Sequence, residues 1–84
     1  MRLTASARFL RRAKKLREPQ ATMLRAVLRR FATDPKDPLL RLHMLKGDLS
    51  AYWSFSVDDD LRVLVRWDGE IAFLVNLGSQ DEVH

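Results

Sequence analysis

Cysteine is absent from the chain. That excludes a disulfide framework and any thiolate metal site, and it suits a reducing cytoplasm. No apolar run approaches the roughly 18 to 20 residues needed to span a bilayer, so no membrane partner is expected. The start, MRLTASARFLRRAKKLRE, lacks the apolar stretch of a secretory signal. Its acid-free, Arg- and Ser-containing beginning could pass for a transit peptide, but the same residues make better sense as a domain helix. Glycine and proline occur only three times each, and there is no internal repeat, low-complexity tract or linker. What remains is 84 residues, 46% apolar and 31% charged, which predicts one globular domain over residues 1–84. A core of that size removes somewhat over roughly 60% of the unfolded surface from water, which is adequate but not generous.

Acidic residues are scarce in the first half. Residues 1–46 hold thirteen Lys and Arg against three acids, a balance of +10, and residues 47–84 hold two Arg against eight acids, a balance of −6. Together they give the net +4. Exposed helices collect some Lys and Arg in any protein. Three acids are nonetheless few for a helical pair, where opposite charges usually alternate. The basic half is therefore expected to meet a polyanion or an acidic partner.

The periodicity gives a coarse map. MRLTA reads as a short first strand. Thr4 or Ser6 can cap a helix over about residues 6–17, with Phe9, Leu10, Ala13 and Leu16 on one face and Arg8, Arg11, Arg12 and Lys15 largely on the other. Glu18-Pro19 breaks it. A second helix follows over about 19–32, with Leu24, Val27, Leu28 and Phe31 as its apolar stripe. ATDPKDP ends that helix, and the segment to Asp48 reads as irregular. From Leu49 the period becomes two, with Trp53, Phe55 and Val57 opposite Tyr52, Ser54 and Ser56. Asp58, Asp59 and Asp60 form a turn. Leu61, Val63, Val65 and Trp67 make the buried side of the next strand, with Arg62, Leu64 and Arg66 facing away. Asp68-Gly69 between apolar runs signals a two-residue hairpin. Ile71, Phe73, Val75 and Leu77 belong to a last strand, which Gly78 stops. The expected fold class is α+β, in the order βααβββ, with a helical hairpin packed on one face of a small antiparallel sheet.

The motifs Leu42-His43-Met44-Leu45-Lys46-Gly47, Tyr52-Trp53, Asp60-Leu61-Arg62, Gly78-Ser79 and Asp81-Glu82-Val83 occur in an order and spacing that resembles the RelE/ParE superfamily of bacterial type II toxins. The YafQ-like branch is the most similar. The resemblance covers about half the chain by motif, and the two basic helices agree with it in order and charge. It implies a toxin that enters the decoding site of the ribosome and cuts mRNA there, held inactive by a separately encoded antitoxin. It also implies the bacterial cytoplasm and a place among growth-inhibiting or plasmid-stabilising systems.

RNA cleavage by transesterification uses the adjacent 2′-hydroxyl as nucleophile and needs no metal or cofactor. It needs a group to take that proton, a cation to stabilise the phosphate and an acid for the leaving 5′-oxygen. By resemblance, His43 is a proton-transfer candidate, and an imidazole beside a loop is as often a hydrogen-bonded structural residue. Asp60 matches an acidic family position and is also one of three turn carboxylates. Arg62, on the face away from Leu61, Val63 and Val65, could clamp the scissile phosphate; the bland reading is a strand arginine paired with Glu70 or Asp60. Lys46, Arg11, Lys15 and Gln80 are candidate RNA contacts. The family histidine after Gly-Ser is Gln80 here, its terminal aromatic is His84, and its first sheet histidine is Ser56. Glutamine cannot shuttle protons, whereas His84 can stack on a base or take over acid–base work. The tail is thus expected to close a site containing His43, Arg62 and His84.

Three functions follow from this reading: a ribosome-dependent endoribonuclease, a non-enzymatic ParE-like gyrase inhibitor, or a weakened toxin that serves mainly as an antitoxin partner. The expected complex with an acidic antitoxin is a heterodimer or heterotetramer.

Overall fold

The structure is a computed structural model that describes residues 1–47 and 51–83. Its elements are β1 (Arg2–Ala5), α1 (Ala7–Lys14), α2 (Gln20–Thr33), a 3-10 turn (Pro38–Leu40), β2 (His43–Met44), β3 (Tyr52–Ser56), β4 (Arg62–Trp67), β5 (Ile71–Gly78) and α3 (Gln80–Val83). The five strands form one sheet in the order β1-β5-β4-β3-β2. Strands β2 to β5 pair antiparallel, but β1 lies parallel to β5. The expected all-antiparallel sheet is therefore mixed. No hairpin links β1 to β5; the helices and three strands intervene, and a connection of that length permits parallel pairing.

Ser6 starts α1. Its backbone is extended, and its hydroxyl accepts from the Phe9 amide at 3.0 Å while donating to the Val75 carbonyl at 2.7 Å. Thr4, the alternative cap, belongs to β1. Beyond Lys14 the chain tightens, with the Leu16 amide donating to the Ala13 carbonyl. Phe9 and Leu10 lie about 100° apart on a helix, so both cannot face one core. Phe9 is buried and Leu10 is 54% exposed. Pro19 precedes α2, and Glu18 caps it by accepting from the Thr22 amide at 2.8 Å.

The helices cover one face of the sheet. Phe9, Leu24 and Phe31 meet Phe55, Val57, Val63, Val65, Leu74 and Leu77 in a single apolar cluster. Phe31 stacks on Phe55 with ring centres 4.6 Å apart and meets Trp67 edge-on at 5.2 Å. The segment after α2, expected to be irregular, contains the 3-10 turn and the two-residue β2. Strand β2 is too short to show a period. Leu49 lies outside the described residues.

The other sheet face departs further from expectation. Leu64, placed with Arg62 and Arg66 on the wet side, is 8% exposed, and Ser54, Ser56 and Asn76 are also buried. The tail contributes: residues after Gly78 form α3, which packs on β4 and β5, takes a hydrogen bond from Asn76 and buries Val83. Among the described residues no helix is long and apolar enough to cross a membrane.

Candidate functional site

Strand register builds the site. His43 pairs with Ser54, Ser54 with Leu64, and Leu64 with Asn76. One step along, Ser56 pairs with Arg62 and Arg62 with Gly78. Directly paired residues project to the same side, so His43, Ser54, Ser56, Arg62, Leu64 and Asn76 share the face that the helical hairpin leaves open. A strand spacing of about 4.8 Å puts the backbones of His43 and Leu64 roughly 10 Å apart.

The Arg62 side chain is held rather than solvated. Its Nη1 donates to Ser56 Oγ at 3.0 Å, and its Nε is buried without an acceptor. Neither Glu70 nor Asp60 pairs with it among the described residues, so the salt-bridged strand arginine is replaced by one bonded to a hydroxyl. Ser54 Oγ is likewise buried without a partner. Nearly all buried polar groups in proteins are paired, and each orphan costs about 1–3 kcal/mol. Two such atoms lie beneath one face, and one of them belongs to the permanent cation of the half-buried Arg62.

Around this pair, His43 is exposed on β2 with Nδ1 3.3 Å from the Arg41 carbonyl oxygen. When Nδ1 donates there, Nε2 is the basic nitrogen. Lys46 is exposed two residues after β2, next to Gly47, whose φ of 71° is in the left-handed region. Asp60 is exposed at the turn. Its neighbour Asp58 does the structural work: one oxygen accepts from the Asp60 and Leu61 amides, the other from Gln20 Nε2 at 2.9 Å. The Gln20 bond, then the Leu61 amide, hold the Asp58 carboxyl below its ordinary range. Further along the same face, Tyr52, Arg66 and Phe73 pair across three strands, with Arg66 and Phe73 exposed.

Gln80 opens α3 and is exposed. Asn76 Nδ2 reaches the Glu82 carbonyl at 3.3 Å, which ties α3 over the buried end of this face. His84, the expected last member of the site, lies outside the described residues. Arg11 is exposed on α1 and Lys15 at its C-terminal end.

No protein-family model matches the chain, and no curated protein matches it. Solved structures do. The chain is similar to YafQ from Escherichia coli strain BL21(DE3), with a TM-score of 0.78 at 17% identity over 98% of this chain and 97% of that one. It is similar to a YoeB/ParE toxin from Agrobacterium tumefaciens, with a TM-score of 0.79 at 18% identity over 95% and 99%. A third match is to the E. coli DinJ-YafQ toxin-antitoxin complex, with a TM-score of 0.77 at 16% identity over 96% and 93%. The fold is that of the YafQ and YoeB toxins. The expectation of a RelE/ParE-like α+β architecture is met over nearly the entire chain, including the helices that carried no motif.

Three contributors to the open face and its rim were not singled out from sequence. Ser54 is a polar residue inside an apolar strand, on the alternation of Tyr52 and Ser56, and that parity was a usable signal; Asn76 reaches the same face as Phe73 only through a β-bulge at Val75, where the β4–β5 register shifts, which alternation does not show. Arg12 was assigned to the wet side of α1. Its Nη1 instead donates to the Leu77 carbonyl at 3.0 Å and lies 3.6 Å from Glu82 Oε2. No local pattern announces a contact spanning 65 positions.

Proposed function

We propose that the chain is a toxin of a type II toxin–antitoxin pair that cleaves mRNA on the ribosome. The observation that carries this reading is the Arg62 guanidinium, held by Ser56 with its Nε buried and without an acceptor. In the proposed reaction the 2′-oxygen of one nucleotide attacks the adjacent phosphorus, a 2′,3′-cyclic phosphate forms, and the P–O5′ bond breaks. His43 handles a proton, with Asp60 and His84 as further candidates. Arg62 takes up the charge that develops on the non-bridging oxygens, the kind of contact whose removal costs about 10²–10³ in rate. The RNA would run along the open face toward Arg66 and Phe73, where a base can stack on the exposed ring. Lys46 and Gln80 flank that path. Arg11 and Lys15 would grip ribosomal RNA backbone, a sequence-blind and salt-sensitive contact.

The partner would be an acidic antitoxin. Support comes from neighbours of the same fold that were solved as DinJ-YafQ and YoeB-YefM complexes and from the +10 balance of residues 1–46.

The test is induction in bacterial cells followed by mapping of mRNA 5′ ends. Wild type should arrest growth and cut within codons, and Arg62→Ala should lose about two orders of magnitude of cleavage. Arrest with DNA damage and intact mRNA would favour a gyrase inhibitor instead, a reading that Gln80 in place of a histidine makes specific. Absence of arrest would leave antitoxin binding as the function.

A further inference from the structure

Strand β5 is longer than its neighbour β1, which leaves the sheet at Ala5. The carbonyls that β1 no longer reaches find other donors: Ser6 N for Leu74, Ser6 Oγ for Val75 and Arg12 Nη1 for Leu77. Arg12 thus stands in for a strand. The same guanidinium faces the Glu82 carboxylate at 3.6 Å. Glu82 Oε1 in turn accepts from the Ser79 amide at 2.8 Å, and Ser79 Oγ accepts from the Glu82 amide at 3.3 Å, a reciprocal box that closes the tail into α3. Gly78 lies inside this assembly. A Cβ there would sit 2.8 Å from Arg12 Nη1 and 3.0 Å from Glu82 Cβ and Oε1. A larger residue would have to push the Arg12 tip aside and shift Glu82 by a few tenths of an ångström, and Gly78 is the cross-strand partner of Arg62.

We infer that Arg12 is a positioning residue: it pins the Ser79–Val83 turn to the end of β5 and so fixes the wall of the open face beside Arg62. This rests on the nuclease reading above for its consequence, but not for its geometry. The competing role for Arg12 is that of its neighbours on α1, a direct contact to RNA phosphate. Position and contact differ in what they move. Loss of a pinning residue slows the chemical step while substrate binding persists, whereas loss of a phosphate contact weakens binding.

The experiment uses the full chain as wild type, Arg12→Gln and Glu82→Gln, with amide hydrogen exchange on the free protein and cleavage kinetics on ribosomes programmed with mRNA. The Glu82 and Val83 amides both donate to the Ser79 carbonyl and report the turn directly. Either variant should speed their exchange by about tenfold, the scale of one part-exposed charge-assisted bond, while β4 amides stay as in wild type. In both variants kcat should fall by about the same factor with KM within about twofold. Unchanged protection of the two amides overturns the inference. So does a loosened turn with unchanged kcat, or a raised KM with unchanged kcat. A wild-type chain that cuts no RNA sinks the nuclease reading and the catalytic half of this one, and the exchange data then decide the pinning alone. Gly78→Ala is an independent perturbation of the same contact and should reproduce the loosened turn.

Discussion

The two faces of the sheet bury comparable side chains for different ends. On the helix side, Phe55, Val63, Val65, Leu74 and Leu77 meet Phe9, Leu24 and Phe31, and the aromatic rings interlock. Among the described residues its one buried orphan is Trp67 Nε1. On the open side, Ser54, Ser56, Arg62 and Asn76 occupy the equivalent positions, with Arg62 Nε and Ser54 Oγ lacking partners. A face selected for stability alone would replace those serines with valine. The difference is one of chemistry: one face is closed by apolar packing, the other carries buried polar groups, of which Ser56 and Asn76 are hydrogen-bonded and Ser54 Oγ and Arg62 Nε are not.

The sharpest way to break the comparison is to truncate each side in turn. Phe31→Ala should destabilise by about 3–5 kcal/mol, because the ring is wholly buried between Phe55 and Trp67. Denaturant unfolding measures this, and a loss below 1 kcal/mol would mean that the aromatic cluster is not the core. Ser54→Ala should have the opposite sign or none. Removing a buried hydroxyl that has no partner is expected to leave stability unchanged or raise it by up to about 1 kcal/mol. A loss of more than that would show that Ser54 is satisfied in solution, and the contrast between faces would shrink.

The smallest effect concerns the tail. The Ser79 amide, then the Ser79 hydroxyl, and last Arg12 lower the Glu82 pKa below the ordinary glutamate value. A carboxyl whose folded pKa is depressed adds stability above its unfolded pKa and loses it as pH falls through the folded value. Acidification from neutrality should therefore loosen α3 only below the usual carboxylate range. NMR titration of the Glu82 side chain checks the direction; a midpoint at or above the ordinary glutamate value would contradict it.

Much of this fold was legible from one-dimensional patterns. Alternation through Trp53, Phe55 and Val57 gave β3 its inner side, and the parity of Arg62 assigned it to the open face. Asp68-Gly69 marked the β4–β5 connection but not its register: Trp67 pairs with Ala72, the Asp68 amide donates to the Ile71 carbonyl, and the two residues at the tip are Gly69 and Glu70 rather than Asp68 and Gly69. What escaped notice depends on distance. Strand β2 has two residues and no period. Strand β1 pairs with the far end of the chain. Leu64 is buried on the β4 face where α3 packs, and Arg12 leaves the solvated side of α1 for a carbonyl near the other terminus. His43 and Arg62 are brought to one face as expected, whereas Asp60 sits at a turn that Asp58 organises.

The rim of β5 near Ser6 and Arg12 has a consequence for the chain in bulk. An unpaired strand edge invites another molecule to add on and seed fibrils. Here the outer carbonyls of β5 beyond β1 are capped by side chains, and the opposite border of the sheet is the two-residue β2. The edge strands themselves, β1 with four residues and β2 with two, are short, which gives a second molecule little template to extend.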